Sequence, residues 1–305
     1  MADGIVRVSP DETGRAAEAI HEHGCVILVG AVPKEPLAEL RRRMDRDTHD
    51  LLRFCTIIGG NPRQAGHLQQ GPPPFADYVF PEVAMNPAVN AVARAVYGGP
   101  ARLTFYNGNT NCPGSVRQHL HMDGRHATKP DEPVALTTGM VVNIPPGPAD
   151  ESNGAIELWP GSHRLGVYEN HNGVPARMEE ARRVVRGPAN PRTQPGDVLL
   201  RDVRIWHRGV PNPSNRPRHM IALILSQPSG ESRYRLKFGR GCESALEGRD
   251  ADANAEYLHG PIDYLFDPSY RIFLSRARTR MAKVGTRRGD GLVAPMPHVA
   301  PTTPG

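Results

Sequence analysis

The chain has 305 residues, enough for one large domain or two ordinary ones. With 38% hydrophobic and 23% charged residues, its composition is typical of a globular protein rather than a disordered or membrane-spanning chain. A net charge of +5 is compatible with an anionic substrate or cosubstrate but is too small to indicate nucleic-acid binding. No apolar run has the length of a signal peptide or a membrane span, so we expect a cytoplasmic protein without membrane contact. The four cysteines form no Cys-x-x-Cys pair, which disfavours structural zinc.

Helices dominate the first hundred residues of the predicted structure. Residues 11–23 predict a helix that ends at Gly24, a short buried strand follows at residues 25–29, and a second helix begins at Pro36. The Gly-, Pro- and Gln-rich residues 59–74 predict a loop long enough to be functional. Residues 87–97 predict another helix. We interpret residues 11–100 as helical support for the domain that follows.

From residue 101 the pattern changes to short strands separated by turn signals. Strands are predicted at residues 102–106, 115–123, 135–144, 155–158, 197–201, 205–210, 219–226 and 234–238. Because no crossover helices connect them, the pattern predicts a mainly β fold with flanking helices, a cupin-like jelly roll or double-stranded β-helix over about residues 101–238. The polar, Arg-rich residues 164–194 predict an insertion or lid that is partly helical.

Past residue 240 no further strand is predicted. The spacing of apolar residues predicts a helix at residues 268–284, within a helical extension over residues 239–284. Basic residues between Arg271 and Arg288 are interpreted as a solvated helix face rather than a docking site. Residues 285–305 are rich in Pro, Gly and Thr and predict partial disorder. We therefore predict a single domain over residues 1–305.

A histidine and an aspartate stand two positions apart in the predicted strand at residues 115–123. Side chains alternate along a strand, so His121 and Asp123 point to one face, whereas His119 faces away. His207, near the start of a later strand, would complete a set of three metal ligands. Two histidines and one carboxylate with open coordination positions are typical of non-haem Fe(II) oxygenases.

Two arginines follow His207 in the sequence. A dicarboxylate cosubstrate requires a cation deep in the barrel, and a guanidinium can bind a carboxylate through two hydrogen bonds. Arg216 and Arg218 are both candidates. Strand alternation puts them on the same face, so the spacing alone does not separate them.

Several motifs taken together resemble the phytanoyl-CoA dioxygenase-like family of Fe(II)/2-oxoglutarate oxygenases. Each piece is weak, but the combination is specific and covers roughly residues 16–226. The motifs are the helix–Gly–strand unit at residues 16–29, Cys112-Pro113-Gly114, Gln118-x-x-His121-x-Asp123, the run from Asn153 to His163, Pro195-Gly196-Asp197, and His207 with Asn212, Ser214 and Arg218.

The resemblance implies roles for several of these residues. His121, Asp123 and His207 would bind Fe(II), and Arg218, preferred over Arg216, would bind the distal carboxylate of 2-oxoglutarate. Gln118 would contact the cosubstrate or substrate, although an ordinary polar strand residue explains it equally well. The implied reaction consumes O2, releases succinate and CO2, and oxidises a substrate C–H bond. Hydroxylation is the default outcome, while desaturation, epoxidation and ring formation stay open.

For the substrate, the sequence predicts a chemical class and candidate contacts but no specific molecule. We expect a small molecule, such as a specialised metabolite, and candidate contacts are Phe105, Asn107, Asn109 and Met140, for each of which core packing or turn capping is an equal alternative. A carrier-protein- or CoA-linked substrate and a homodimer both stay open. Two other functions compete with the oxygenase. One is a jelly-roll metalloenzyme with another metal and no oxo acid, such as a zinc hydrolase, and the other is a non-catalytic binding module.

Overall fold

The computed structural model describes residues 3–57, 66–124, 137, 139–165, 173–228 and 235–265. Its elements alternate between helices and strands in the first hundred residues and are mostly strands afterwards. In chain order they are β1 (Arg7–Val8), α1 (Thr13–His23), β2 (Cys25–Leu28), α2 (Lys34–Ile57), β3 (His67–Gln69), α3 (Pro81–Ala84), α4 (Pro87–Tyr97), β4 (Arg102–Asn111), β5 (Gly139–Ile144), β6 (Glu157–Leu158), α5 (Ala176–Val185), β7 (Val198–Asp202), β8 (His207–Arg208), β9 (Arg218–Ser226), β10 (Leu236–Gly239), α6 (Glu243–Leu246), β11 (Asp252–Ala253) and β12 (Ala255–Leu258).

The β structure of the described residues consists of a large sheet, a small layer and a separate two-stranded sheet of β10 and β12. The large sheet has the strand order β1-β2-β7-β5-β9-β4-β11, and β3 also pairs with β4. Its central strands β7, β5, β9 and β4 are antiparallel, whereas the edge pairs β1–β2 and β4–β11 are parallel. The small layer pairs β6 with β8. Within the described residues these layers form a sheet-dominated jelly roll that does not close into a barrel.

The helices α1, α2 and α4 cover the outer face of the large sheet. Fully buried side chains from α2 and α4, such as Leu40 and Val92, pack in one cluster with Val26, Val142 and Leu200 of the sheet. The helix ends have the local chemistry that the sequence suggests. Asn86 caps α4 by accepting hydrogen bonds from two backbone N–H groups, and α1 ends at Gly24, whose φ of 76° is left-handed. Because the helices pack on the outer face of the large sheet, its inner face is free to line a cavity.

Several predicted elements need correction. The strand predicted at 102–106 continues to Asn111 as β4, and part of the predicted loop at 59–74 is the strand β3. The prediction that strands stop past residue 240 is wrong, because β11 pairs with β4 and β12 pairs with β10. The described part of the predicted C-terminal helical extension holds these strands and only the short helix α6. The predicted helix at 268–284 and tail at 285–305 lie outside the described residues.

The predicted insertion at residues 164–194 contains the helix α5. Its Glu179 accepts a hydrogen bond from Arg208 of β8 at 2.9 Å, and Arg182 donates to the carbonyl oxygen of Pro160 at 2.6 Å. The helix is thus attached to the small layer. Among the described helices, none combines the length and apolar character needed to span a membrane.

Candidate active site

Residues 118–123 run antiparallel to the segment that contains β8. The backbone N–H of His121 donates to the oxygen of His207 at 3.0 Å, and the N–H of His207 donates back at 2.9 Å. Directly opposite residues of an antiparallel pair share a face, so the two imidazoles lie side by side with ring centroids 4.4 Å apart. Asp123 lies two residues further on the same face, and its N–H donates to Val203 at 2.9 Å.

Three candidate ligand atoms converge at this position. One donor atom each from His121, Asp123 and His207 lies within 4.8 Å of the other two, and His207 Nε2 is 3.5 Å from Asp123 Oδ1. In both imidazoles Nδ1 donates to a carbonyl oxygen, that of His119 at 2.8 Å and that of Ile205 at 3.0 Å. A protonated Nδ1 leaves the lone pair on Nε2, which is the tautomer that binds a metal ion.

The charge states of the triad also suit a cation. Burial lowers the pKa of His121 to about 4, and His207 beside it adds to the effect, so the imidazole is neutral at neutral pH. Burial acts to raise the pKa of Asp123, but the charges of Arg201 and His207 outweigh it and hold that pKa well below its usual range. The site therefore presents the neutral imidazole of His121 beside one carboxylate, with His207 as the third candidate ligand.

A cavity of about 350 Å³ opens in front of the triad, along the inner face of the large sheet. Its wall mixes hydrogen-bonding and apolar side chains. Besides the triad and Gly209, the polar lining residues are His67, Gln69, Asn109, Gln118, Asn143, Arg201 and Arg218, and the apolar ones are Leu68, Phe105, Val141, Ile156, Met220, Ala222 and Ile224.

Arg218, the first residue of β9, is a buried cation in this cavity. It is 7% exposed, and its Nη2 donates to the carbonyl oxygen of Gly154 at 2.9 Å. Among the described residues its Nε has no hydrogen-bond partner, and burial alone lowers its pKa to about 10, without an acidic group nearby to oppose this. A buried guanidinium without a counter-ion is costly, so the site is suited to a bound anion.

The other predicted cosubstrate contacts lie in different environments. Gln118 lines the cavity, and its Oε1 accepts a hydrogen bond from the N–H of Gly209 at 2.9 Å. Arg216 is exposed in the loop before β9 and is not among the residues that line the cavity. The expectation that Arg216 and Arg218 share one strand face is wrong, because β9 begins only at Arg218.

Two of the four predicted substrate contacts line the cavity, namely Phe105 and Asn109. Asn107 does not, since its Oδ1 accepts a hydrogen bond from the N–H of Gly108 and the backbone of Gly71 packs closely against it. Met140 is fully buried in the core on the outer face of the sheet. Strand alternation explains this correction for Met140, because it is the neighbouring Val141 that points inward.

Arg201 was not singled out by the sequence analysis. It lies in β7, lines the cavity, and donates from Nη2 to Asp123 Oδ2 at 2.7 Å. An arginine directly after the apolar run from Val198 to Leu200, on a strand that leads to His207, is the signal that would have found it. Two other described histidines lie away from the cavity, since His119 is exposed and His163 packs against Gly24.

Comparison with known proteins agrees with this geometry. A family model described as "Phytanoyl-CoA dioxygenase (PhyH)" matches residues 20–220. Among solved structures, AviO1 from Streptomyces viridochromogenes Tue57 is 19% identical with a TM-score of 0.52, over 72% of this chain and 97% of that one. The epimerase SnoN, in complex with Fe3+, alpha ketoglutarate and nogalamycin RO, is 19% identical with a TM-score of 0.53, over 72% and 85%. At these identities the likeness shows the shared fold.

Proposed function

The chain belongs to the phytanoyl-CoA dioxygenase (PhyH) family, and we propose that it hydroxylates a small-molecule substrate at an iron centre held by His121, Asp123 and His207. It is a non-haem enzyme that depends on Fe(II), 2-oxoglutarate and O2. Within that class, the reaction outcome, the substrate and the residue roles given below are proposals.

One observation carries the proposal: Arg218 is buried in the same cavity as the triad and has no acidic partner among the described residues. A set of two imidazoles and a carboxylate fits Fe(II) and leaves coordination positions open. The metal ligands alone would also fit zinc. The described residues place no counter-ion beside this guanidinium, so it favours an anion that joins the metal in the cavity, and the distal carboxylate of 2-oxoglutarate supplies that anion.

The roles of the chain's own residues follow from their contacts. His121 and His207 present Nε2 because the carbonyls of His119 and Ile205 hold their Nδ1 protons. Arg218 binds the distal carboxylate of 2-oxoglutarate, and Gln118, oriented by its hydrogen bond from Gly209, contacts the cosubstrate. When bound, iron supplies the oxidising chemistry that couples decarboxylation of 2-oxoglutarate by O2 to oxidation of a C–H bond.

The other walls of the cavity bind the substrate. Phe105 and the aliphatic side chains of Val141, Ile156 and Ile224 hold its carbon skeleton and exclude water, while Asn109 offers an amide to a polar substituent. SnoN, which shares the fold, is described as an enzyme of nogalamycin biosynthesis, and this supports a specialised metabolite as substrate. Hydroxylation would add one oxygen atom to the product, and desaturation or epimerisation would give other products.

The ligand assignment is tested by anaerobic spectroscopy. Fe(II) with 2-oxoglutarate is expected to give a weak visible charge-transfer band in the unaltered protein, and Asp123→Ala and His207→Ala should each abolish it because one of three ligands is lost. A His119→Ala variant is the matched control, since that exposed side chain points away from the site, and it should keep the band. Unchanged bands in both ligand variants would refute the assignment.

The role of Arg218 is tested by the dependence of succinate formation on 2-oxoglutarate concentration. Arg218→Ala is expected to raise the concentration required by about 100-fold, because truncating one partner of a buried charged hydrogen-bonded pair costs about 2–5 kcal/mol. Arg216→Ala, which removes an exposed guanidinium two residues away, should have little effect. The opposite pattern in the two variants would assign the cosubstrate to Arg216.

A further inference from the structure

Arg201 is an unusual residue for its position. It lies near the end of β7, between β2 and β5, where its backbone pairs with Cys25 on one side and Val141 on the other. It is only 4% exposed. A guanidinium in the middle of a sheet is expensive to desolvate, and an apolar side chain would serve the packing of this strand at lower cost.

The contacts of Arg201 join the neighbouring strand to the metal site. Its Nε donates to Oδ1 of Asn143 on β5 at 2.9 Å, and its Nη2 donates to Oδ2 of Asp123 at 2.7 Å. Asn143 is itself 2% exposed, so the amide fixes the plane of the guanidinium from a rigid strand.

The two oxygens of Asp123 thereby have different surroundings. Oδ2 is held by Arg201, whereas Oδ1 is the oxygen 3.5 Å from Nε2 of His207. Nη1 of Arg201 lies 3.5 Å from Nδ1 of His207, but that nitrogen already donates its proton to the carbonyl of Ile205 and so cannot accept one. The influence of Arg201 on the site therefore runs through Asp123.

We propose that Arg201, seated by Asn143, is a positioning residue that makes Asp123 offer a single oxygen, Oδ1, to the metal. The inference rests on the proposed function, since it takes Asp123 as a ligand. A free carboxylate can rotate and bind a metal through both oxygens, which would occupy a coordination position that the cosubstrate needs. Holding Oδ2 keeps that position open.

The geometry and the charge of the Arg201 guanidinium have opposite expected effects on metal binding. Arg201 is a cation beside a site for a divalent cation, so if charge were its whole effect, removing it would strengthen metal binding. If it positions Asp123, removing it weakens metal binding. Lysine keeps the charge but has no planar fork to bridge Asn143 and Asp123, so Arg201→Lys should behave as a loss of positioning.

Anaerobic titration of the full-length protein with Co(II) alone, followed by visible absorption, tests the proposal. Arg201→Met and Arg201→Lys are each expected to weaken Co(II) binding about 10–100-fold, the range for partners of metal ligands, and to alter the Co(II) spectrum because the carboxylate is no longer held through one oxygen. Arg204→Met is the matched control, because Arg204 is also buried and pairs at 2.7 Å with Asp202, away from the cavity. It should keep both affinity and spectrum.

A substitution at Asn143 tests the same proposal independently, should the Arg201 variants fail to fold. Asn143→Ala keeps Arg201 and should also weaken Co(II) binding and alter the spectrum. Combined with Arg201→Met it should add nothing further, because Asn143 acts through Arg201. Unchanged or tighter Co(II) binding in Arg201→Met, an unchanged spectrum, or no effect of Asn143→Ala would overturn the proposal. If Asp123→Ala bound Co(II) normally, the ligand set of the proposed function would itself be wrong.

Discussion

Asp3 is a single carboxylate that fixes the start of the chain. It accepts hydrogen bonds from both terminal nitrogens of Arg7, at 2.7 and 2.6 Å, and from the backbone N–H groups of Ile5 and Arg192. Burial acts to raise its pKa, but these bonds outweigh burial and lower the pKa of Asp3 to about 2. The carboxylate thus joins β1 to the segment that precedes β7.

The depressed pKa of Asp3 predicts a pH-dependent stability. A group whose pKa is lower in the folded than in the unfolded state stabilises the fold above its ordinary value of 3.8, and loses that effect as the pH falls toward about 2. Asp3→Asn should therefore lower the free energy of unfolding by about 1 kcal/mol at neutral pH and have little effect near pH 2. Urea denaturation across this pH range measures both values, and a deficit independent of pH would contradict the prediction.

Local residue spacing predicted the relation of His121 to Asp123, because strand alternation depends only on the backbone. It could not separate Arg216 from Arg218, since that requires the residue at which β9 begins. Met140 was predicted to contact the substrate but lies on the outer face of β5, because the sequence does not show which face of that strand lines the cavity. Arg201 was not predicted as a site residue because its role depends on its contact with Asp123. The two residues are distant in sequence, and only the folded structure brings them together.

At the level of elements, the end of α1 is packed against the turn that follows β6. Gly24 ends the helix with a left-handed φ of 76°, and a Cβ placed on it would lie 2.5 Å from Nδ1 of His163. His163 in turn contacts the carbonyl oxygen of His21 at 3.1 Å. The glycine serves both the backbone turn and this close approach.

Gly24→Ala is accordingly expected to combine two costs. The left-handed conformation costs a side chain about 1 kcal/mol, and the forced contact with His163 adds about 2 kcal/mol of overpacking. In a His163→Ala background only the first cost should remain. A double-mutant cycle on the free energy of unfolding measures the difference, and additive effects would show that the two residues do not interact.

Elements with a strong pattern of their own were predicted well. The helix α4 has the predicted bounds, because Asn86, Pro87 and Gly98 mark its ends. The strands β3, β11 and β12 were missed, since each has two to four residues and forms through pairing with a partner rather than through its own apolar pattern. The strand predicted at 115–123 is not formed as an element, because this segment is joined to its neighbours only by isolated bridges such as those of His121.

At the scale of the whole molecule, the large sheet separates two kinds of interior. Its outer face and the helices form a dry core, whereas its inner face lines a cavity that contains the cations of Arg201 and Arg218. Arg201 has a carboxylate partner. Arg218 has none in the described part of the chain, so the fold bears its desolvation cost until an anion binds.

This imbalance predicts that stability and ligand response change in opposite directions when Arg218 is replaced. Arg218→Met should raise the free energy of unfolding of the ligand-free protein by about 2 kcal/mol, because it removes a buried unpaired charge while keeping most of the side-chain volume. Adding 2-oxoglutarate at 100 times its dissociation constant to the Co(II)-loaded protein should stabilise the unaltered protein by about a further 2.7 kcal/mol, and this increment should largely disappear in the variant.

Arg216→Met is the control for that comparison. It removes an exposed arginine from the same segment, so it should change stability by no more than about 0.5 kcal/mol and keep the full response to 2-oxoglutarate. Denaturant unfolding of the unaltered protein and both variants, with and without the ligands, measures these stability changes and ligand responses. A less stable ligand-free Arg218→Met protein would mean that the hydrogen bond to Gly154 outweighs the desolvation of the guanidinium, and that the site is stable without its anion.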